Sequence, residues 1–169
     1  MQARRIETPL GAMLALAGQD GLHLLEFVDR RGLENEITAI RARIKYPIVP
    51  GNNAHLEKIG EELQNYFEGR EVRFTGPLIV GGSAFERDVW AKLQTIPPGQ
   101  TWSYAELATK AGNPAAVRAA GAACAHNRVA PFVPCHRVVR TGGNLGGYYY
   151  GLPVKRWLLD HERGVTTAF

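Results

Sequence analysis

The chain has 169 residues, 45% hydrophobic and 21% charged, which suits a globular protein of one or two small domains with a real core. No apolar run approaches the roughly 20 residues of a membrane span, and Met1-Gln2-Ala3-Arg4-Arg5 leads into no signal-peptide core, so the expectation is a soluble protein of a reducing compartment. The net charge of +4 is modest, and two cysteines are too few for a disulfide scaffold or a four-cysteine metal site.

The first half reads as a small mixed unit. Arg4–Thr8, Ala12–Ala17 and Leu22–Val28 are expected strands, separated by turns at Pro9-Leu10-Gly11 and Gln19-Asp20-Gly21. Leu33, Ile37, Ile40 and Ile44 recur at helical spacing and predict an amphipathic helix over 31–44. A second helix is expected from Ala54 to Phe67, with Leu56, Ile59, Leu63 and Phe67 inward and Gly69 beyond its end. His23 and His55 are lone histidines with no catalytic spacing, and read as structural or solvent-facing. The Gly-rich stretch Thr75–Ser83 marks the boundary, giving residues 1–76, a linker at 77–84 and residues 85–169.

Helix signals are clearer beyond it. Ser83 with Glu86 forms a capping box ahead of Val89, Trp90 and Leu93, and Ile96-Pro97-Pro98-Gly99 stops that helix. Ser103 with Glu106 is a second capping box, opening a helix to about Lys110 that Gly112 ends. Asn113 and Pro114 read as the N-cap and first-turn proline of the next helix. Pro153 and the stripe Val154, Trp157, Leu158 mark a last helix to about His161.

The two central helices have the form of a helix-turn-helix. The second, Ala115–Ala123, carries almost only minimal side chains and one long cation, Arg118. Such a face suits either an internal helix seam or close approach to DNA. Arg118 favours exposure, because no acid lies within four positions to pair a buried guanidinium. Residues 85–169 hold ten Lys/Arg against five Asp/Glu, whereas residues 1–84 hold ten against eleven, so the basic surplus lies with this helix pair.

Val133-Pro134-Cys135-His136-Arg137-Val138 follows. A free thiol has a pKa of about 8.5 and needs assistance to react as thiolate. His136 is the nearest base, but in an extended segment it would point away from Cys135, so a bend or a bridging water is needed. Glu162 is a candidate to orient that histidine in a Cys–His–Glu relay. Asn127, eight positions before the cysteine, is placed to brace the turn between them. Tyr104 offers a phenol donor, and the loop Gly142–Gly151 with Tyr148, Tyr149 and Tyr150 is either a lid for a flat ring or a plain surface loop. Cys124, among alanines, reads as an inert packed thiol.

Together, Ser103-Tyr104, Gly112-Asn113-Pro114, Val117-Arg118-Ala119, Asn127 and Pro134-Cys135-His136-Arg137-Val138 resemble the O6-alkylguanine-DNA alkyltransferase (methylated-DNA–protein-cysteine methyltransferase) family. Lys155-Arg156-Trp157-Leu158-Leu159 and His161-Glu162 extend the resemblance, which covers about residues 83–163. It implies an RNase-H-like α/β first domain with a small antiparallel sheet, and a mostly α, winged-helix-like second domain that binds DNA and accepts the alkyl group. The implied reaction is irreversible repair, with an alkyl group passing from guanine O6 to Cys135 in a single turnover. By resemblance, His136 and Glu162 activate the thiol through a water, Asn127 supports it, and Tyr104 donates toward the leaving guanine. Arg118 fills the gap of a flipped nucleotide, with Asn113, Ala116, Gly121 and Thr141 also on the DNA side, the helix lying in the minor groove. Tyr148, Tyr149, Tyr150, Pro134 and Val138 are the implied substrate pocket.

The implied partner is double-stranded DNA carrying O6-alkylguanine, with the protein a monomer in solution and scope for cooperative assembly on DNA. No cofactor, metal or membrane is implied, and the location is cytoplasmic, with the nucleoid if prokaryotic. The zinc site of some relatives needs N-terminal cysteines, and this chain has none before Cys124. Arg128 stands where many relatives have proline, and Tyr150 where the binding loop has glycine. A non-catalytic lesion-binding protein of the alkyltransferase-like kind, a helix-turn-helix regulator and a cysteine hydrolase are the competing readings.

Overall fold

The computed structural model describes residues 1–70 and 73–165. The chain divides into two compact units, residues 1–80 and 81–169. Residues 166–169 of the expected second domain lie outside the described part.

The first unit is built on a four-stranded sheet of order β3-β2-β1-β4. Strands β1 (Gln2–Ile6), β2 (Met13–Ala17) and β3 (Leu22–Phe27) form an antiparallel meander, and β4 (Val49–Pro50) adds parallel to β1, so the sheet is mixed rather than purely antiparallel. β1 begins and ends two residues earlier than the spacing predicts. Its register, Gln2 opposite Ala17 through Ile6 opposite Met13, leaves Thr8 to close the turn by accepting from the Gly11 amide at 3.0 Å. β4 carries no pattern of its own; it exists because Val49 N donates to Met1 O and Gly51 N to Ala3 O.

Helix α1 (Leu33–Arg43) buries Ile40 against Leu16 and Leu24 on one face of the sheet. The alternation of a strand turns Met13, Ala15 and Ala17 to the other face, and all three are fully buried. Helix α2 (Ala54–Phe67) packs against β2 through buried Leu56, Ile59 and Leu63. The Asn53 side chain caps α2 by accepting from Leu56 N at 3.0 Å. A strand covered on both faces reads as an unbroken apolar run, which is how Met13–Ala17 reads. His23 is buried with its Nε2 3.0 Å from Asp20, while His55 is half-buried.

The second unit is mostly helical. Helix α3 (Ala84–Leu93) and helix α4 (Tyr104–Lys110) both start at complete capping boxes, Ser83 with Glu86 and Ser103 with Glu106. Helix α5 runs Val117–Ala125, later than the Asn113-Pro114 start expected. Asn113 is not its N-cap. Its Oδ1 accepts from Ala115 N at 3.2 Å and its carbonyl from Ala116 N at 3.0 Å, so the chain completes a separate turn before the helical ladder opens at Ala116. Helices α3, α4 and α5 pack on one another, and the Trp90 indole donates to Ala123 O at 2.8 Å within that core.

Two short strands, β5 (Trp102–Ser103) and β6 (Val138–Val139), pair in parallel and connect the start of α4 to the segment after Cys135. Helix α6 (Leu152–Glu162) follows Gly151, whose φ of +92° suits glycine. Among the described residues, no helix is long and apolar enough to cross a membrane.

Candidate active site

Cys135 opens a single 3-10 turn, Cys135–Arg137, between Pro134 and β6. The turn is closed by Arg137 N donating to Pro134 O at 3.0 Å. It supplies the bend that an extended Cys-His pair would lack. Cys135 is 5% exposed and lines a small pocket, while His136 is completely buried.

Asn127, at the exit of α5, ties the two segments together. Its Oδ1 accepts from Val129 N at 2.9 Å, and its Nδ2 donates to Val133 O at 2.6 Å and to Cys135 Sγ at 3.1 Å. An N–H aimed at sulfur favours negative charge there over the neutral thiol.

Behind the sulfur lies a compact ionic cluster. His136 Nε2 sits 2.6 Å from Oε1 of Glu162. Arg137 grips the same carboxylate from Nε to Oε2 and from Nη2 to Oε1, both at 2.9 Å. Gly99 N adds a donor to Oε2 at 3.2 Å, and Arg137 Nη1 donates to Ile96 O. Burial alone would raise the Glu162 pKa, but the hydrogen bonds of His136 and Arg137 and the positive charge of Arg137 hold it well below the usual carboxylate range. Burial is also the main cause that lowers the His136 pKa, with Glu162 acting in the opposite direction. An ionised carboxylate only accepts, so the proton of the neutral ring sits on Nε2. Nδ1, a buried atom with no hydrogen-bond partner among the described residues, is then the basic lone pair.

The pocket of about 250 Å³ is lined by Cys135 together with Tyr104, Gly121, Cys124, Ala125, Gly147, Tyr148 and Tyr149. That is below the roughly 300–1,000 Å³ of drug-sized sites and suits a single flat ring system. Burial pushes the Tyr104 pKa up to about 12, so its hydroxyl stays a donor; it reaches Gly147 O at 3.4 Å. The ring is flanked by two glycines. A Cβ at Gly121 would lie 3.8 Å from Cδ1, and one at Gly146 would press to 3.2 Å from Cε2, at a φ of +70°. Lys155 is fully buried and donates from Nζ to the carbonyls of Val138, Leu145 and Gly147, which fastens the binding loop to β6.

Three residues expected in the pocket lie outside its lining. Pro134 is buried and sets the start of the 3-10 turn; Val138 is fully buried in the β5–β6 pair; Tyr150 stands behind the wall. The Tyr150 ring packs edge-on to Tyr148 at 5.3 Å and Tyr149 at 5.9 Å. Cys124 is packed, as its surroundings suggested, but it is also part of the pocket wall, and burial strongly raises its pKa. Arg137, Lys155 and Gly99 were missed as site residues because their roles depend on contacts 8 to 63 positions away in sequence.

On α5 the small side chains divide between a buried face and an exposed one. Ala120, Ala123 and Cys124 face inward, while Arg118, Ala119 and Ala122 are exposed. Asn113 and Thr141 are exposed, Ala116 is half-buried, and Gly121 lies at the pocket. Among the described residues, no group of three or more His, Cys, Asp or Glu could hold a metal ion.

The family model described as "6-O-methylguanine DNA methyltransferase, DNA binding domain" matches residues 84–164. The chain is 41% identical over 164 residues to the methylated-DNA–protein-cysteine methyltransferase of Mycolicibacterium paratuberculosis, covering 96% of this chain and 93% of that protein. The Salmonella typhimurium protein of the same name is 37% identical over 161 residues, covering 94% and 93%. The fold superposes on the crystal structure of Mycobacterium tuberculosis OGT in complex with DNA with a TM-score of 0.82 at 34% identity, over 97% of this chain and 94% of that one. With relatedness running nearly end to end, the chain belongs to the methylated-DNA–protein-cysteine methyltransferase family.

Proposed function

We propose that this protein repairs DNA by moving an alkyl group from O6-alkylguanine directly and irreversibly onto Cys135. The observation that carries the proposal is a sulfur on the wall of a ring-sized pocket that accepts an Asn127 N–H, beside a histidine already bonded to a buried carboxylate.

In this reading His136 Nδ1 takes the thiol proton through one water, and Glu162 stabilises the ring as it becomes charged. The sulfur then attacks the alkyl carbon. A C–S bond forms, the C–O6 bond breaks, and the electron pair returns to guanine O6. Tyr104, still protonated at neutral pH, donates toward the leaving base and steadies the developing charge. The resulting thioether has no acidic proton and is a poor leaving group, so each molecule reacts once.

Delivery of the base belongs to α5. Its exposed small side chains let the backbone approach the minor groove, and Arg118 occupies the gap left by the extruded nucleotide. The domain assignments of the resemblance, RNase-H-like for the first unit and winged-helix-like for the second, complete the proposal.

The decisive test is incubation with a duplex oligonucleotide carrying radiolabelled O6-methylguanine, followed by peptide mapping. Label is expected on the Cys135 peptide at no more than one per molecule, and none in Cys135→Ser. Binding of the lesion without label on the wild type would instead make this a non-catalytic lesion-binding protein.

A further inference from the structure

The His136–Glu162 pair does not stand alone. Its carboxylate is held by a side-on guanidinium fork, both contacts 2.9 Å, and that guanidinium is itself fixed by donation to the Ile96 carbonyl. Gly99, three residues on, adds its amide to the same carboxylate oxygen that Arg137 Nε holds. The turn at 96–99 and the 3-10 turn at 135–137 thus converge on one group. A lone His–Glu contact needs no such apparatus to close a hydrogen bond.

We infer that Arg137 is a positioning residue for the alkyl transfer: by forking onto Glu162 and facing His136, it keeps the imidazole a neutral base with its lone pair on Nδ1. This rests on the reading of His136 as the base that accepts the Cys135 proton.

The electrostatics run as follows. An isolated buried carboxylate beside a histidine would draw a proton onto the ring and make an ion pair, which leaves no base. Arg137 supplies the positive charge that satisfies Glu162 without that proton, and repels a second positive charge on the ring next to it. The charged and titratable groups that act on His136 are Glu162 and Lys155 from α6 and Arg137 from its own turn; Glu162 favours protonation, and Lys155 and Arg137 oppose it. Removing the guanidinium leaves Glu162 and His136 to share a proton as a coupled pair, and the pair takes that proton up at higher pH. Bidentate geometry matters as well as charge, because a lysine ammonium is a point donor that does not span both carboxylate oxygens.

The experiment is the pH dependence of single-turnover transfer from an O6-methylguanine duplex, for the wild type, Arg137→Lys, Arg137→Gln and the control His136→Gln. In Arg137→Gln the acid limb of the rate profile is expected to move up by about one pH unit or more. Arg137→Lys is expected to move it part of the way and to recover part of the rate. A side chain that served only the fold would lower the rate evenly and leave the limb in place. Should Arg137→Gln fail to fold, Arg137→Lys decides the matter, with nitrogen-15 shifts of the His136 ring reporting its tautomer and charge. A folded Arg137 variant whose acid limb and ring shifts match the wild type overturns the inference. If His136→Gln transfers at the wild-type rate, it is the base assignment that fails.

Discussion

His136 Nε2 lies 2.6 Å from Glu162 Oε1, and both side chains are almost wholly withdrawn from solvent, at 0% and 2% exposure. A neutral ring and an ionised carboxylate are therefore built into the folded state, and the stability of the protein must depend on pH through both. His136 has a lowered pKa, so its contribution is complete above the unfolded value of 6.5 and is lost as pH falls toward the folded value. Glu162 is also lowered, and its contribution is complete above 4.5 and fades only below that. Urea midpoints measured from pH 8 to pH 2 are expected to decline in two stages, and His136→Gln is expected to abolish the upper one. A flat profile between pH 7 and pH 5 contradicts the buried neutral ring.

Replacing Asn127 with Ala removes three hydrogen bonds and orphans the Val129 amide, while the Val133 carbonyl keeps the Cys135 amide as a donor. A buried orphaned group costs about 1–3 kcal/mol, so thermal unfolding is expected below the wild type. Asn127→Asp keeps the acceptor toward Val129 but sets a negative charge beside the sulfur. Its transfer rate is expected to fall further than its stability does, which paired calorimetry and labelling will separate.

Tyr104→Phe keeps a ring between Gly121 and Gly146 and deletes only the hydroxyl. Loss of one donor aimed at a developing negative charge typically lowers the rate by about 100- to 1,000-fold. Affinity for the lesion duplex, read by gel shift with an unreactive Cys135→Ser background, is expected to stay within about threefold. Equal rates for Tyr104→Phe and the wild type would remove the phenol from the mechanism.

Arg118 is exposed on α5, so Arg118→Ala is expected to change stability by less than about 0.5 kcal/mol. If Arg118 fills the gap of a flipped nucleotide as proposed, transfer from duplex DNA is expected to drop sharply. Transfer from the free base O6-methylguanine should be unaffected. A parallel loss with both substrates would mean that Arg118 serves the pocket and not the duplex.

Tyr150 supports Tyr148 and Tyr149 from behind, so its influence on bulky adducts runs through the stiffness of that wall. O6-benzylguanine is expected to react poorly relative to O6-methylguanine in DNA. Tyr150→Gly is expected to narrow the difference by loosening Tyr148 and Tyr149. Competition assays with both substrates will check this, and an unchanged ratio counts against it.

Much of the second unit was legible because its signals are local. The two capping boxes lie within four residues each, and they set the starts of α3 and α4 to the residue. The motif around Cys135 was enough to single out the thiol and the imidazole that the proposed mechanism uses, since the two are adjacent in sequence. What the sequence concealed was decided at long range. The β4 and β6 strands are two residues long and exist only through their partners. Arg137 looked like one more cation until the fold brought Glu162 to it across 25 positions. Tyr150 was expected in the pocket from its place in the loop, but the lining holds Tyr148 and Tyr149, against which the Tyr150 ring packs edge-on. The start of α5 was misjudged because Asn-Pro signals both a helix cap and a turn, and here the turn closes first.

Residues 85–169 contain only five acids, Glu86, Asp88, Glu106, Asp160 and Glu162. Three of these have their carboxylates turned to internal tasks: Glu86 and Glu106 to the amides that begin their own helices, and Glu162 to His136 and Arg137. The attraction a basic unit offers a polyanion thus owes as much to the scarcity of acids, with Glu162 taken out of solvent, as to its cations. A single glutamate grafted onto the outer side of α5, at Ala119 or Ala122, should therefore weaken nonspecific DNA binding out of proportion to one unit of charge, and flatten its dependence on salt.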